Sequence, residues 1–89
     1  MAKVLVPLAL QRLTENKGEV NVQGDTVLQI VDNLERTYPG TKKLIAPEGL
    51  IQQFINIFVN GKDIRFIRNE SSNVHATDEV NIVLAVSGG

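Results

Sequence analysis

His75, Ser71 and Ser72 are the side chains from which a nucleophile–base pair would have to be built. A hydroxyl attacks only when a base takes its proton and a third group orients that base. No orienting acid or oxyanion motif accompanies them, so a solvated loop is expected here. Glu48 with Glu70, or Asp78 with Glu79, could form paired carboxylates. Nothing around them predicts the burial that raises a carboxyl pKa, so they read as acids in turns. Gln23-Gly24-Asp25-Thr26 precedes a helix, but one glycine and an acid stand where a phosphate cradle needs several glycines. Lys42-Lys43 and Arg65/Arg68 are short basic pairs of the kind found on solvated faces. The absence of cysteine removes disulfides, thiolate–metal sites and a thiol nucleophile together. A single histidine leaves no cluster for a metal. The remaining reactive group is the α-carboxylate of Gly89, at the end of Ser87-Gly88-Gly89.

A carboxylate is inert to nucleophiles until one oxygen becomes a good leaving group. Adenylation by ATP would achieve this, giving an acyl-adenylate that sulfide or a thiol can attack. The chain has none of the parts for that chemistry, so the activating enzyme is expected to be a separate protein and the chain to be its substrate. No cofactor of its own is expected; ATP would belong to that enzyme. Two glycines lack Cβ atoms and can thread a narrow channel. Three extended residues reach about 10 Å beyond a sheet.

The rest of the chain must position that end. Its 89 residues suffice for one domain with one modest core. The expected division is a domain over residues 1–86 and a flexible tail over 87–89. A net charge of −1 gives no basic field for nucleic acid or an anionic membrane. No apolar run approaches the ~18 residues of a membrane span. Met1 to Pro7 is too short and too β-branched for a signal peptide, so a cytoplasmic location is expected.

Val4-Leu5-Val6-Pro7-Leu8 alternates as a strand, with Val4, Val6 and Leu8 on one face. Thr14 to Gly18 reads as a turn, and Glu19 to Gln23 as a second strand with Val20 and Val22 inward. Thr26 and Gln29 fit a capping box. Val27, Ile30, Val31, Leu34 and Tyr38 then recur at helical spacing, and Pro39-Gly40 ends the helix. Thr41 to Ile45 has the length of one helical turn. Phe54 to Val59 alternates again, with Ile55, Ile57 and Val59 inward. Asn60-Gly61 is a strong hairpin signal, returning through Lys62 to Phe66. Arg68 to Thr77 is polar and reads as irregular. Val80, Ile82, Leu84 and Val86 share one face of a final strand. The order β-β-α-β-β-β predicts an α+β fold: a mixed sheet with one main helix packed on one face.

Gly24-Asp25-Thr26-Val27, Leu34-Glu35-Arg36-Thr37-Tyr38-Pro39, Asp78-Glu79-Val80 and Ala85-Val86-Ser87-Gly88-Gly89 resemble the MoaD/ThiS sulfur-carrier family of ubiquitin-like β-grasp proteins. The resemblance covers almost the whole chain. Phe54 to Asn60 with Asp63 to Phe66 looks most like the CysO branch, which serves cysteine synthesis. Ala76-Thr77-Asp78 departs from the Gly-Asp turn common in the family. The resemblance implies that a ubiquitin-activating-like adenylyltransferase adenylates Gly89, with Gly88 as required neighbour, and that sulfur converts the terminus to a thiocarboxylate. It also implies a sulfur-accepting synthase as partner, in the CysO-type case a cysteine synthase with its own pyridoxal phosphate, and a metalloprotease that releases the product. Two alternatives stay open: a MoaD-type small subunit docked to the large subunit of molybdopterin synthase, and a ubiquitin-like modifier joined to lysines. Phe54, Asn56 and Phe58 face away from the helix, which makes Phe54 and Phe58 candidates for a partner surface. The competing reading packs Phe58 beside Phe66 or Val83.

Overall fold

A computed structural model describes residues 1–84 of the chain. The expected boundary at residue 86, and the expectations placed on Val86, Ser87, Gly88 and Gly89, lie outside the described residues.

Five strands form one mixed sheet: β1 (Ala2–Leu5), β2 (Glu19–Val22), β3 (Ile55–Val59), β4 (Lys62–Asp63) and β5 (Glu79–Leu84). Their spatial order is β2-β1-β5-β3-β4. β1 and β5 are parallel, with Val4 opposite Val80, and the other neighbours are antiparallel. Helix α1 (Val27–Thr37) covers one face, followed by α2 (Thr41–Ile45). The apolar stripe Val27, Ile30, Val31 and Leu34 is at most 1% exposed. Burying each such side chain contributes roughly 1.5–3 kcal/mol. Val4, Val20, Val22, Ile55, Ile57, Val59, Val80 and Ile82 of the sheet belong to the same buried core.

The helix starts as its capping sequence predicts. Gln29 N–H donates to Thr26 Oγ1 at 3.2 Å. The return bond lands one residue earlier than in the standard box, from Asp25 N–H to Gln29 Oε1 at 2.8 Å. Gly24 lets the chain pass close to the first turn, since a Cβ there would sit 2.9 Å from the Ile30 nitrogen. At the far end Gly40 has φ 100°, and α2 begins immediately after it. The Glu35 carboxylate closes this corner by accepting from the N–H groups of Gly40 and Lys42 at 3.1 and 2.9 Å.

Three expectations change. The first strand stops at Leu5, and the chain enters a 3-10 helix over Leu8–Leu13. Pro7, with φ −66° and no N–H, directs it out of the sheet. Leu8, expected on one face with Val4 and Val6, is 83% exposed while those two are buried, and Leu10 is buried. The return strand after Asn60-Gly61 lasts only two residues. Asp63 Oδ1 accepts the Arg65 N–H at 2.9 Å and turns the chain into a 3-10 helix over Ile64–Phe66. A local side-chain bond has replaced the ladder here. Finally, the segment after Arg68 is not simply a solvated loop. Ser72 is fully buried, and its Oγ accepts from Arg68 N–H at 3.0 Å. The Ser72 carbonyl accepts the Val27 N–H at 3.0 Å, and Val74 N–H donates to the Asp25 carbonyl at 2.9 Å. The segment thereby satisfies an N–H group that a helix start leaves without an internal partner.

Asp78 joins three parts of the fold. It accepts from His75 N–H at 2.8 Å and from Asn60 Nδ2 at 2.9 Å, and its carbonyl accepts from Lys3 N–H at 3.1 Å. The backbone N–H of His75 and the Asn60 amide hold its carboxyl below the usual carboxylate range.

Glu35→Ala should lower stability by roughly 1–3 kcal/mol, because it leaves two corner N–H groups without their charged acceptor; a lower urea midpoint at unchanged slope is the measurement. A depressed Asp78 pKa stabilises the fold above its unfolded value, and that stability is lost as pH falls through the folded value. Asp78→Asn should therefore flatten the stability loss below about pH 4, as followed by urea unfolding at successive pH values.

Candidate functional site

β5 is the axis of the site. It lies between β1 and β3 and carries the chain through the middle of the sheet to Leu84, which pairs with Ile55. Val80 and Ile82 are buried on the helix side, so the direction of the strand is set by the core. The start of β3, directly after Phe54, lies beside the point where the described chain ends. Phe54 itself precedes the strand and is 44% exposed.

Among the described residues no helix covers the face of the sheet opposite α1. One row of residues crosses all five strands there: Glu19, Leu5, Asn81, Phe58 and Asp63 are successive register neighbours. Leu5, Asn81, Phe58 and Asp63 are half-buried, as are Asn56 and Val83 in the neighbouring pair. Phe58 therefore faces Asn81 and Asp63 directly, with Val83 on the diagonal. Phe66 is not part of this row. It has left the sheet in the 3-10 turn and is 79% exposed. Asp63 and Arg65 close the end of the row by an ion pair with Nη2–Oδ2 at 2.6 Å. The guanidinium holds the Asp63 carboxyl below its usual range.

A cavity of about 390 Å³ lies where β4 stops, lined in part by Ile51, Ile55, Ile57, Ile64, Arg65 and Glu70. Its two acids are already engaged: Glu70 Oε2 accepts the Ile51 N–H at 2.9 Å, and Asp63 is paired with Arg65. The nucleophile–base candidates do not meet. Ser72 is buried and bonded to backbone, Ser71 and His75 are exposed, and the hydrogen bonds of His75 run through its backbone. Among the described residues no group of three or more His, Cys, Asp or Glu side chains could hold a metal. No helix among them is long and apolar enough to cross a membrane. Ser72 is the residue that sequence reasoning misplaced, because its role is carried by its backbone carbonyl and a buried hydroxyl.

The ThiS family profile matches residues 4–89. The chain belongs to the ThiS family. It is 34% identical over 89 residues to the sulfur carrier protein CysO of Mycobacterium tuberculosis, covering 97% of this chain and 96% of that one. The CysO-type fold recurs in the crystal structure of the BexX/CysO complex of Amycolatopsis orientalis. That match has a TM-score of 0.94 and 34% identity, with both chains fully covered. The solution structure of small archaeal modifier protein 1 from Methanosarcina acetivorans matches with a TM-score of 0.84 and 27% identity, over 99% of this chain and 95% of that one. The ThiS-family chain thus has the ubiquitin-like β-grasp fold expected from its motifs, with the mixed five-stranded sheet and one covering helix.

If the open face contacts an activating enzyme, Phe58→Asp should slow adenylation by the cognate enzyme roughly ten-fold or more while thermal unfolding stays cooperative. Unchanged adenylation by a folded variant would reject the contact.

Proposed function

We propose that this chain is a CysO-type sulfur carrier, acting as a protein substrate and not as an enzyme. The observation that carries the reading is full-length similarity to CysO at 34% identity, with the family match running to Gly89. The chemistry-poor body supports it. The described side chains offer no assembled nucleophile, base or metal site, so the reactive group is assigned to the Gly89 carboxylate.

The steps balance as follows. A carboxylate oxygen of Gly89 attacks the α-phosphorus of ATP on the adenylyltransferase and displaces pyrophosphate. A sulfur nucleophile then attacks the acyl-adenylate carbonyl, and AMP leaves with the bonding pair. With sulfide as the nucleophile the terminus becomes a thiocarboxylate. Its sulfur forms a bond to the β-carbon of an activated serine derivative held by a cysteine synthase as the activating group leaves with the serine oxygen. The acyl group of the resulting thioester passes from sulfur to the cysteine amine. A metalloprotease hydrolyses that amide, releasing cysteine and regenerating the Gly89 carboxylate. Gly88 and Ser87 serve as the thin reach that places the carbonyl in each partner's channel. Phe54 and Phe58 contribute to docking from the open face. The body contributes rigidity: β5, held on both sides, directs the end of the chain.

A second reading, a ubiquitin-like modifier, is favoured by the match to the Methanosarcina modifier protein. In it an amine of a target lysine attacks the activated carbonyl. Branched Gly-Gly remnants on lysines after proteolysis would support this second reading.

The direct test incubates the chain with ATP, the cognate adenylyltransferase and sulfide, then alkylates with iodoacetamide and measures intact mass. The chain has no cysteine, so alkylation of the terminus reports the thiocarboxylate, and sulfoxidation of Met1 is not mistaken for sulfur exchange. Deleting Gly89 should leave the unfolding curve unchanged and abolish both adenylation and alkylation. Normal thiolation of the shortened chain would overturn the proposal.

A further inference from the structure

We propose that the outer edge of β2 is a docking site for the same edge of a second copy of this chain. β2 is the last strand on one side of the sheet. Val6 N–H donates to the Gly18 carbonyl at 2.9 Å, and the β1–β2 register continues from that pair. Hydrogen-bonded pairs alternate along an antiparallel ladder. Val20 and Val22 therefore turn their backbone groups towards β1, and Glu19 and Asn21 turn theirs outward. No hydrogen bond from another described residue reaches the outward groups of Glu19 and Asn21. The Gln23 carbonyl, just past the strand, accepts from Asn33 Nδ2 at 2.6 Å and has one lone pair left for a partner. Such an edge is a template for a further strand.

The charges around the edge select the occupant and its register. Lys17 stands before β2 and Asp25 after it, both exposed. Lys17 Nζ lies 3.3 Å from Glu15 Oε1, an exposed pair of the kind that contributes little and can be exchanged for a better one. The Asp25 carboxylate has no cationic partner within 4 Å among the described residues. An antiparallel second copy with Asn21 on the two-fold axis pairs Glu19 with Gln23 of the other copy. It also brings Lys17 to the end of the strand that carries the other copy's Asp25. Val20 then faces Val22 of the other copy, which continues the apolar inner face. Moving the axis to Glu19 sets like charges opposite each other. Moving it to Val22 sets Glu19 against Asp25. Only registers that match outward groups with outward groups can form the ladder. Of these, the Asn21 axis matches the charges at both ends. The edge is four residues long, so the dimer is weak and concentration-dependent.

The cysteine-free background makes the test sharp. Residues facing each other as a hydrogen-bonded antiparallel pair have Cα atoms about 5.5 Å apart, inside the range a disulfide spans. Under mild oxidation Asn21→Cys should form a covalent dimer rapidly. Glu19→Cys is on the same strand and the same face. In this register its two copies lie about 13 Å apart, four residues along the ladder, and it should cross-link slowly. Equal rates for the two variants would overturn the proposal. In sedimentation of the otherwise native chain at high concentration, Lys17→Glu should reduce the dimer fraction. The double variant Lys17→Glu/Asp25→Lys should restore it. Failure of the double variant to restore the dimer, with both variants folded, would overturn the register and with it the assignment. The result is independent of the tail chemistry, which can be read separately with the same proteins.

Discussion

Val4 and Val80 face each other across parallel neighbouring strands from opposite ends of the chain. Parallel neighbours cannot be joined by a tight turn and need a crossover. The chain between β1 and β5 therefore crosses over: after β2 it leaves the sheet through α1 and α2 and returns at β3. Helix α1 is the layer that covers the sheet's buried face, and its stripe of Val27, Ile30, Val31 and Leu34 is the material of the core. β5 has the parallel strand on one side and β3 on the other. The last described strand is consequently the central one of the five.

Polar groups hold the corners that this topology creates. Glu35 satisfies the chain where α1 gives way to α2, and Asp78 ties the entrance of β5 to the Asn60 turn and to β1. Ser72 closes the start of α1 from the segment that leads into β5. All three act on backbone N–H or C=O groups. The carboxylates of Glu35, Glu70 and Asp78 and the hydroxyl of Ser72 are all engaged with backbone N–H groups.

The two faces of the sheet divide the work. The inner face is apolar and filled. The outer face carries Leu5, Phe58 and Val83 among Asn56, Asn81 and Asp63, half-covered and with no helix over them among the described residues. The edges differ as well. β4 ends after two residues when Asp63 takes up the Arg65 backbone and guanidinium, whereas β2 leaves a regular row of outward groups.

The element order, the helix with its cap and stripe, the hairpin at Asn60-Gly61 and the inward residues of β2, β3 and β5 were legible in the sequence. Each is a local matter: side-chain period, capping geometry, or the left-handed dihedrals of 52° and 85° that Asn60 and Gly61 adopt. The early end of β1, the truncated β4 and the burial of Ser72 were not legible. They depend on which neighbour competes for a backbone group: the 3-10 helix after Pro7, the Asp63 carboxylate against a ladder partner, the Val27 N–H against water. Such competitions are settled only when distant segments are brought together. By itself the sequence determined the helix and the order and inward faces of the main strands. The tertiary structure decided which strand lies at the centre, which edge stays open, and which polar side chains serve the fold, because parallel pairing and burial join residues that no local pattern connects.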